Sequence, residues 1–485
     1  MHAYERILEL LDNNSFHEIG NDINRKIGVD KSTHEITNYD GVITGYGKIY
    51  GKRVFIFSQD FTVLGGTVGV LHAAKIEHLY EQAIKHKCPI IGVNDSGGAR
   101  IQEGVESLSG YARIFRQNVR ASGLIPQISV ILGPCAGGAS YSPALTDFVF
   151  VVEKISQMFL TGPTVVKSVT SEEISIEELG GTHIHAKKSG VAHFCYKDEK
   201  RCLKSIRELI GYLPSSAYEK STLNISNKYV PKASTKIADI LPDESCRTYD
   251  VHGVIEEIID SNSFIEVHKK FAKNIVVGFG KIVGTTIGIV ANNSMHLAGT
   301  LDCDASDKAS RFVRFCDAFS IPIITLVDVP GFYPGKEEER KGVIRHGAKL
   351  LYAYAEATTP KITINLRKSY GGAYIAMGCK VLGSDCSFAW EKAEIAVMGP
   401  EVAVNILYKK KIESLSGQAR KDYIDTITSK YKKEVVNITN GAKNGHVDGV
   451  IAPESTREQI YSCLCLLKKK KQRPTIIKKH GNIPL

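Results

Sequence analysis

Two kinds of glycine-bearing segment in this sequence have residue types suited to holding negative charge on an oxygen atom. The first kind follows an apolar run. Asp95-Ser-Gly-Gly-Ala-Arg100 comes after Pro89-Ile-Ile-Gly-Val93, and Asp328-Val-Pro-Gly-Phe-Tyr-Pro-Gly335 comes after Ile323-Ile-Thr-Leu-Val327. The second kind sets adjacent glycines between a strand-like run and a helix-forming stretch, as Gly133-Pro-Cys-Ala-Gly-Gly138 and as Tyr370-Gly-Gly-Ala373. Adjacent glycines let the backbone turn sharply and approach a ligand. N–H groups at a helix start have no partner within the helix and point at whatever anionic oxygen lies there. The expected chemistry is oxyanion stabilisation at two places. A tight strand-to-helix connection would account for one glycine pair, but less well for a duplicated pair with a second glycine-bearing loop some 40 residues before each.

Other catalytic schemes lack their residues. There is no G-x-S-x-G elbow, no H-E-x-x-H and no G-x-x-x-x-G-K-[ST] loop. His183, His185 and His193 read as a loop or strand edge rather than a metal site, and Arg345-His346 as structural. Two charge-holding sites without an obvious base imply two carbonyl oxygens that gain charge in turn, with the proton taken by a substrate.

The elements that position these loops are duplicated. Leu10-Leu-Asp-Asn-Asn-Ser-Phe16 matches Ile258-Ile-Asp-Ser-Asn-Ser-Phe264, and Gly45-Tyr-Gly-Lys-Ile-Tyr-Gly51 matches Gly278-Phe-Gly-Lys-Ile-Val-Gly284 at an offset of 233. Asp95 and Asp328 are again 233 apart, Gly137-Gly-Ala139 and Gly371-Gly-Ala373 are 234 apart, and Glu153-Lys154 with Gly162-Pro163 match Glu391-Lys392 with Gly399-Pro400 at 238 and 237. Matches in one order with a slowly drifting offset mean one domain present twice, and a boundary is expected in the polar stretch 215–245. Within each copy, buried-strand runs such as Ile128–Leu132 alternate with helix-period stretches such as Gln102–Gly123 and Arg340–Thr358, the latter with Val343, Ala348, Leu351, Tyr352 and Ala355 on one face. Repeated strand–turn–helix units specify an α/β fold.

Composition narrows the class. The 485 residues are 43 % hydrophobic and 24 % charged, which is globular and large enough for two cores. No signal peptide or membrane-length apolar run is present, so a cytoplasmic protein is expected. Eleven cysteines are scattered without any C-x-x-C pair and read as reduced thiols, with no metal site. The net charge of +10 includes a lysine-rich tail at 468–473 that lacks aromatics, which argues against nucleic acid and for an anionic small ligand or acidic partner.

At these residues the sequence resembles the biotin-dependent acyl-CoA carboxyltransferases, and most of all the branch of propionyl-CoA carboxylase β subunits and methylmalonyl-CoA decarboxylase α subunits. The resemblance runs through Asn94–Val105, Ile131–Asp147, Thr161–Lys167 and Glu177–His193. In the second half it runs through AGTLDCDASDKASRFVRFCDAF, LVDVPGFYPG, IRHGAKLLYAYAEATTPKIT, RKSYGGAYIAMG and the terminal HGNIPL. It implies two tandem crotonase-like domains of the ClpP/crotonase superfamily, residues 1–230 on the acyl-CoA side and 231–485 on the biotin side. It also implies a homo-hexamer, a dimer of trimers, whose site lies between the N-terminal domain of one subunit and the C-terminal domain of another.

By the same resemblance, Gly137 and Gly138 would stabilise a thioester enolate, and Gly372 and Ala373 the enolate of biotin left when carboxybiotin loses CO2. Gly97, Gly98, Ala99, Ala136, Gly331, Phe332, Tyr374 and Ile375 would bind substrate. No A-M-K-M biotinylation motif occurs, so biotin is expected on a separate carrier, a biotin carboxyl carrier protein or biotinylated α subunit. A biotin carboxylase would be the further partner in a carboxylase, and membrane subunits in a decarboxylase. The favoured activity is carboxylation of propionyl-CoA or acetyl-CoA. The alternatives are methylmalonyl-CoA decarboxylation and, more remotely, an idle acyl-CoA-binding scaffold.

Four departures from the family pattern stand out. A further N-terminal helical stretch is expected to be missing, since the sequence opens near the family's A-R-E-R-I-type segment. Glu391-Lys392 stands where Pro-Thr is usual, and Val402 where glycine is usual. Ile375, in place of the aspartate of typical propionyl-CoA carboxylases, makes that wall of the acyl pocket apolar.

Overall fold

The computed structural model describes residues 1–22, 25–27, 35–219, 234–242, 244, 247–470 and 478–485. The chain divides into two units, Met1–Lys220 and Ser221–Leu485. Most of the 215–245 boundary stretch, including the 230/231 division, and the tail residues 471–473 lie outside the described residues.

Each unit is built on an eight-stranded sheet of the same topology. In the N-terminal unit the order is His17–Ile19, Val42–Ile49, Lys52–Gln59, Ile90–Ser96, Gln127–Ala136, Phe148–Val152 and Phe194–Tyr196, with Gln157–Phe159 beside the far end of Gln127–Ala136. In the C-terminal unit it is Ile265–Val267, Ile275–Ile282, Thr285–Asn292, Ile323–Val329, Lys361–Tyr370, Cys386–Trp390 and Gly449–Ile451, with Glu394–Ala396 beside Lys361–Tyr370. The first three strands are antiparallel and the rest parallel. The central parallel strands Ile90–Ser96 and Ile323–Val329 are buried along their whole length.

The repeated L-L-D-N-N-S-F and I-I-D-S-N-S-F motifs are structural. Each hairpin turn has two residues at positive φ, Tyr50 (50°) with Gly51 (77°) and Val283 (51°) with Gly284 (74°). The Asp12 carboxylate accepts the N–H groups of Tyr50 and Gly51, and Asp260 those of Val283 and Gly284. Arg207 and Arg457 neutralise the two aspartates in turn. Phe16 and Phe264 fill the space a Cβ would need at Gly45 and Gly278.

Two local expectations change in the fold. The Ile128–Leu132 run is the middle of a longer strand, Gln127–Ala136, because the short Gln157–Phe159 strand pairs with Pro134, Cys135 and Ala136. In the Val343–Glu356 helix the buried face is Val343, Gly347, Leu350, Ala353 and Tyr354, not the face through Ala348, Leu351 and Tyr352. The Phe332 ring sits against Gly347 and fixes that rotation, while Tyr352 turns its hydroxyl to Glu356.

Ten described cysteines are free thiols, eight of them buried. Among the described residues no group of side chains is arranged to hold a metal ion, and no helix is long and apolar enough to cross a membrane.

In the C-terminal unit His252 lies between Glu266 (3.1 Å) and Asp250, the N-cap of the Val251–Ile258 helix. The hydrogen bond to Glu266 leads the causes that raise its pKa from 6.5 to about 9. The native state therefore holds a proton that the unfolded chain has released across that interval, so this contribution is full below pH 6.5 and lost as pH rises through 9. Denaturant unfolding of His252→Gln at pH 6 and pH 9.5 is expected to show a smaller pH-dependent loss of stability than the parent protein.

Candidate active site

In the N-terminal unit, Ile90–Ser96 and Gln127–Ala136 run parallel, with a shift of register after Asn94 that sets Ser96 beside Cys135. Their ends bring the Asp95–Arg100 loop against the Ala136–Gly138 turn. Gly98, at φ +105°, packs so closely that a Cβ there would lie 2.9 Å from the Ala136 carbonyl oxygen. An isolated bridge then ties the loop to Val68 on its other side. The Val68 N–H donates to the Gly98 carbonyl (2.8 Å) and the Arg100 N–H donates to the Val68 carbonyl (3.0 Å). Because the two neighbours of Ala99 make these bonds, Ala99's own N–H faces away from Val68.

Gly137, at φ +57°, makes the turn, and its N–H donates to the Phe159 carbonyl at 3.0 Å. The glycine supplies the conformation of the turn, and Gly138 with Ala139 supplies the first amides of the Gly138–Ala144 helix. The Gly97 N–H donates to Gly65 and the Gly98 N–H to the Ser96 hydroxyl, so both are spent within the loop. Ala136 ends its strand beside Phe159.

The C-terminal unit repeats the arrangement. The Leu301 N–H donates to the Gly331 carbonyl (3.1 Å) and the Tyr333 N–H to the Leu301 carbonyl (2.8 Å), which turns the Phe332 N–H away from Leu301. Gly371, at φ +61°, corresponds to Gly137. In the repeat, Gly138–Ala139 stands where Gly372–Ala373 stands in the second unit. A Cβ at Gly372 would be 3.8 Å from the Phe332 ring, and at Gly331 it would meet nothing within 4 Å. Ala373 is buried, Tyr374 is half-buried with burial pushing its hydroxyl pKa well up, and Ile375 is exposed at the position Tyr141 holds in the other unit.

Each loop is anchored at its aspartate. Asp95 meets Arg6 at 3.0 Å, and Arg6 also donates to the Leu132 carbonyl and to Glu199. Asp328 meets Arg367 at 2.9 Å. The arginine comes from different places. Arg6 lies on the Ala3–Leu10 helix, whose repeat position is Val254, whereas Arg367 lies on a strand, whose repeat position is Gly133. A Cβ on Gly133 would overlap the Asp95 carboxylate.

Sequence reading missed a third loop, Leu64–Gly66 and its repeat Leu297–Gly299, which backs the aspartate loops. A Cβ at Gly66 or Gly299 would strike the carbonyl of Asp95 or Asp328. Its only sequence signal is Leu-Gly-Gly-Thr against Leu-Ala-Gly-Thr at the same offset of 233.

The histidines stay out of this constellation. His185 bonds Ser189 and the Met158 carbonyl, His193 accepts the Val149 N–H, and His346 pairs with Asp307. A cavity of about 430 Å³ in the C-terminal unit, walled by Leu366, Trp390 and Pro453 with Glu391, Lys392 and Glu454, includes none of the glycine-loop residues.

The carboxyl transferase domain family matches residues 1–483. The chain belongs to that family. Among its relatives, the propionyl-CoA carboxylase carboxyltransferase subunit of Haloferax mediterranei is 49% identical over 490 residues, covering all of this chain and 93% of that one. Methylmalonyl-CoA decarboxylase subunit alpha of Veillonella parvula is also 49% identical, over 486 residues, with the same coverage. A crystal structure of transcarboxylase 12S, described as a hexamer assembly with methylmalonyl-coenzyme A and methylmalonic acid bound, superposes with a TM-score of 0.94 at 44% identity, covering all of this chain and 92% of that one. The fold of this carboxyltransferase is crotonase-like in both units.

Membership also gives the departures a physical reading. Glu391-Lys392 follows a sheet strand in the same place as Glu153-Lys154, so the pair is a repeated turn. Val402 is exposed on its helix, as is its repeat mate Val165, and so displaces nothing within its unit.

Proposed function

We propose that this carboxyltransferase moves a carboxyl group between biotin on a separate carrier protein and the α carbon of a short-chain acyl-CoA, propionyl-CoA or acetyl-CoA, in the cytoplasm. The observation that carries the reading is the twofold occurrence of one arrangement: a bridge-centre residue, Ala99 or Phe332, on a loop that packs against the end of the neighbouring strand where a glycine turn opens a helix at Gly138 or Gly372.

In the N-terminal unit, Ala99 and Gly138 hold the thioester oxygen as the α proton leaves, and Ala139 lies behind them. Two fixed N–H donors aimed at a developing oxyanion act with no reorganisation at the moment of reaction. In the C-terminal unit, the open space beside Gly331 and Gly372 leaves room for a flat ring whose carbonyl meets the Phe332 and Gly372 amides, with Ala373 next to them. Biotin bound there supplies the carboxyl group and accepts the α proton. The side chains' part is exclusion of water and alignment of the two reactants, with Phe332, Tyr374 and Ile375 as apolar wall.

Exposed apolar residues recur at matched positions in the two units: Tyr141 and Ile375, Leu160 and Val397, Val165 and Val402, Val169 and Ile406. They support closure of each site by packing one copy's N-terminal unit on another copy's C-terminal unit, within a hexamer. A monomer would leave both apolar patches in water. The carrier would be a biotin carboxyl carrier protein or biotinylated α subunit, recharged by a biotin carboxylase. The same geometry serves the reverse transfer, and equal identity to a carboxylase subunit and a decarboxylase subunit supports that second reading.

The test is turnover of methylmalonyl-CoA and malonyl-CoA by the purified protein with and without free biotin. Biotin-dependent decarboxylation of one or both is expected. No turnover of either by folded protein that binds acyl-CoA would overturn both directions of the proposal.

A further inference from the structure

The two units hold their donor-bearing loops by the same device with different strength. In the N-terminal unit the Glu103 carboxylate accepts the N–H of Val70, the first residue of the Val70–His86 helix, at 2.8 Å. Its other oxygen receives Arg100 at 2.9 Å. Arg100 has no exposed surface and also donates to Asp40 (2.7 Å) and to the Thr67 carbonyl (2.8 Å). The loop from Gly97 to Glu103 is thus short and pinned from inside.

In the C-terminal unit the matching N–H is that of Cys303, first residue of the Cys303–Ala318 helix, and it donates to Glu338 at 3.2 Å. Among the described residues no buried arginine replaces Arg100 there. Its repeat position is Tyr333, which is exposed, and Glu338 otherwise meets the Cys303 thiol and, through its second oxygen at 2.8 Å, Lys341, whose side chain is 64% exposed. The intervening segment is longer and turns at Gly335 (φ +143°) and Gly342 (φ +92°). Within Lys336–Lys341, Glu338 is the one buried residue. A hydrogen bond from a helix's first amide to a carboxylate is charge-assisted and strong, whereas an exposed lysine adds little. This carboxylate therefore ties the middle of a segment that turns at two glycines to the start of the Cys303–Ala318 helix.

We propose that Glu338 is a positioning residue of the biotin side: its hold on the Cys303 amide fixes the Gly331–Gly342 segment and with it the Phe332 N–H. The proposal rests on the reading that Phe332 and Gly372 face biotin. It also assigns Glu103 the matching role for Ala99 on the acyl-CoA side.

The experiment compares full-length Glu338→Ala, Glu338→Gln and Glu103→Ala with the parent protein. It reads amide hydrogen exchange over 329–343, KM for free biotin in methylmalonyl-CoA decarboxylation, and propionyl-CoA affinity by calorimetry. In Glu338→Ala, exchange across 332–342 and KM for biotin are each expected to rise about tenfold, the factor that loss of one charge-assisted hydrogen bond corresponds to. Propionyl-CoA affinity stays unchanged. Glu338→Gln, whose amide oxygen still accepts the Cys303 N–H, recovers most of both. Glu103→Ala gives the opposite split.

Unchanged exchange in Glu338→Ala overturns the proposal, as does an equal fall of biotin-side and acyl-CoA-side parameters or a glutamine variant no better than alanine. If the parent protein shows no biotin dependence, the reading of Phe332 and Gly372 fails, while the exchange measurement still decides whether Glu338 holds the loop.

Discussion

Gly138→Ala is expected to lower turnover of the acyl-CoA substrate by about 100-fold or more, the cost of displacing one oxyanion donor. A Cβ at Gly138 would sit 2.8–3.0 Å from three atoms of the Tyr111 ring, including the one attached to its own Cβ. That ring is buried and cannot swing away, so the helix start must move and carry the Gly138 amide with it. Overpacking of this kind costs about 1–3 kcal/mol of stability as well. Gly372→Ala provides the contrast. Its nearest neighbour is 3.8 Å away, an ordinary contact, so the unfolding midpoint stays unchanged and the helix start is not displaced. Steady-state kinetics with methylmalonyl-CoA and thermal unfolding of the two variants separate the cases. Full activity in Gly138→Ala would remove this turn from the mechanism.

Arg6→Ala is expected to destabilise the N-terminal unit by about 3–5 kcal/mol, the cost of leaving a buried charge without its partner. Arg6 makes three polar contacts from the Ala3–Leu10 helix, and Asp95 begins the loop that carries Ala99. Burial raises the Asp95 pKa, and Arg6 works against that rise. Removing Arg6 lets the folded pKa climb further above 3.8. In the window between the unfolded and folded values the native state holds a proton that the unfolded chain has released, so stability falls as pH increases. The variant's deficit should therefore be smallest at or below pH 4 and largest at neutral pH, as read by denaturant midpoints at several pH values. A pH-independent deficit would mean that lost packing, not the Asp95 charge, sets the effect.

The glycine turns were legible because conformational need restricts residue type. Gly137 and Gly371 sit at positive φ, and a sequence that repeats both must keep glycine at each. Legibility ended at the hydrogen-bond ledger. Nothing in Ala136-Gly137-Gly138 reveals that the first glycine's N–H goes to the Phe159 carbonyl, more than 20 residues away. Ala99 and Phe332 differ in size and hydropathy, and their matching placement comes only from each lying at the centre of a bridge. The exchange of Arg6 and Gly133 for Val254 and Arg367 was equally hidden, since the two arginines reach matching aspartates from unrelated points in the sequence.

The sequence by itself determined that one α/β domain occurs twice, that each copy carries two glycine-bearing loops, and which family has these motifs. Backbone conformation and strand burial are local constraints, and local constraints leave a residue-type record at fixed spacing. Only the tertiary structure decided which amides remain free to hold an oxyanion, which charges anchor the loops, and that Glu103 and Glu338 tie those loops to helix starts. These depend on pairs of groups distant in the chain, and a hydrogen bond or ion pair constrains where two atoms meet rather than where their residues stand in the sequence.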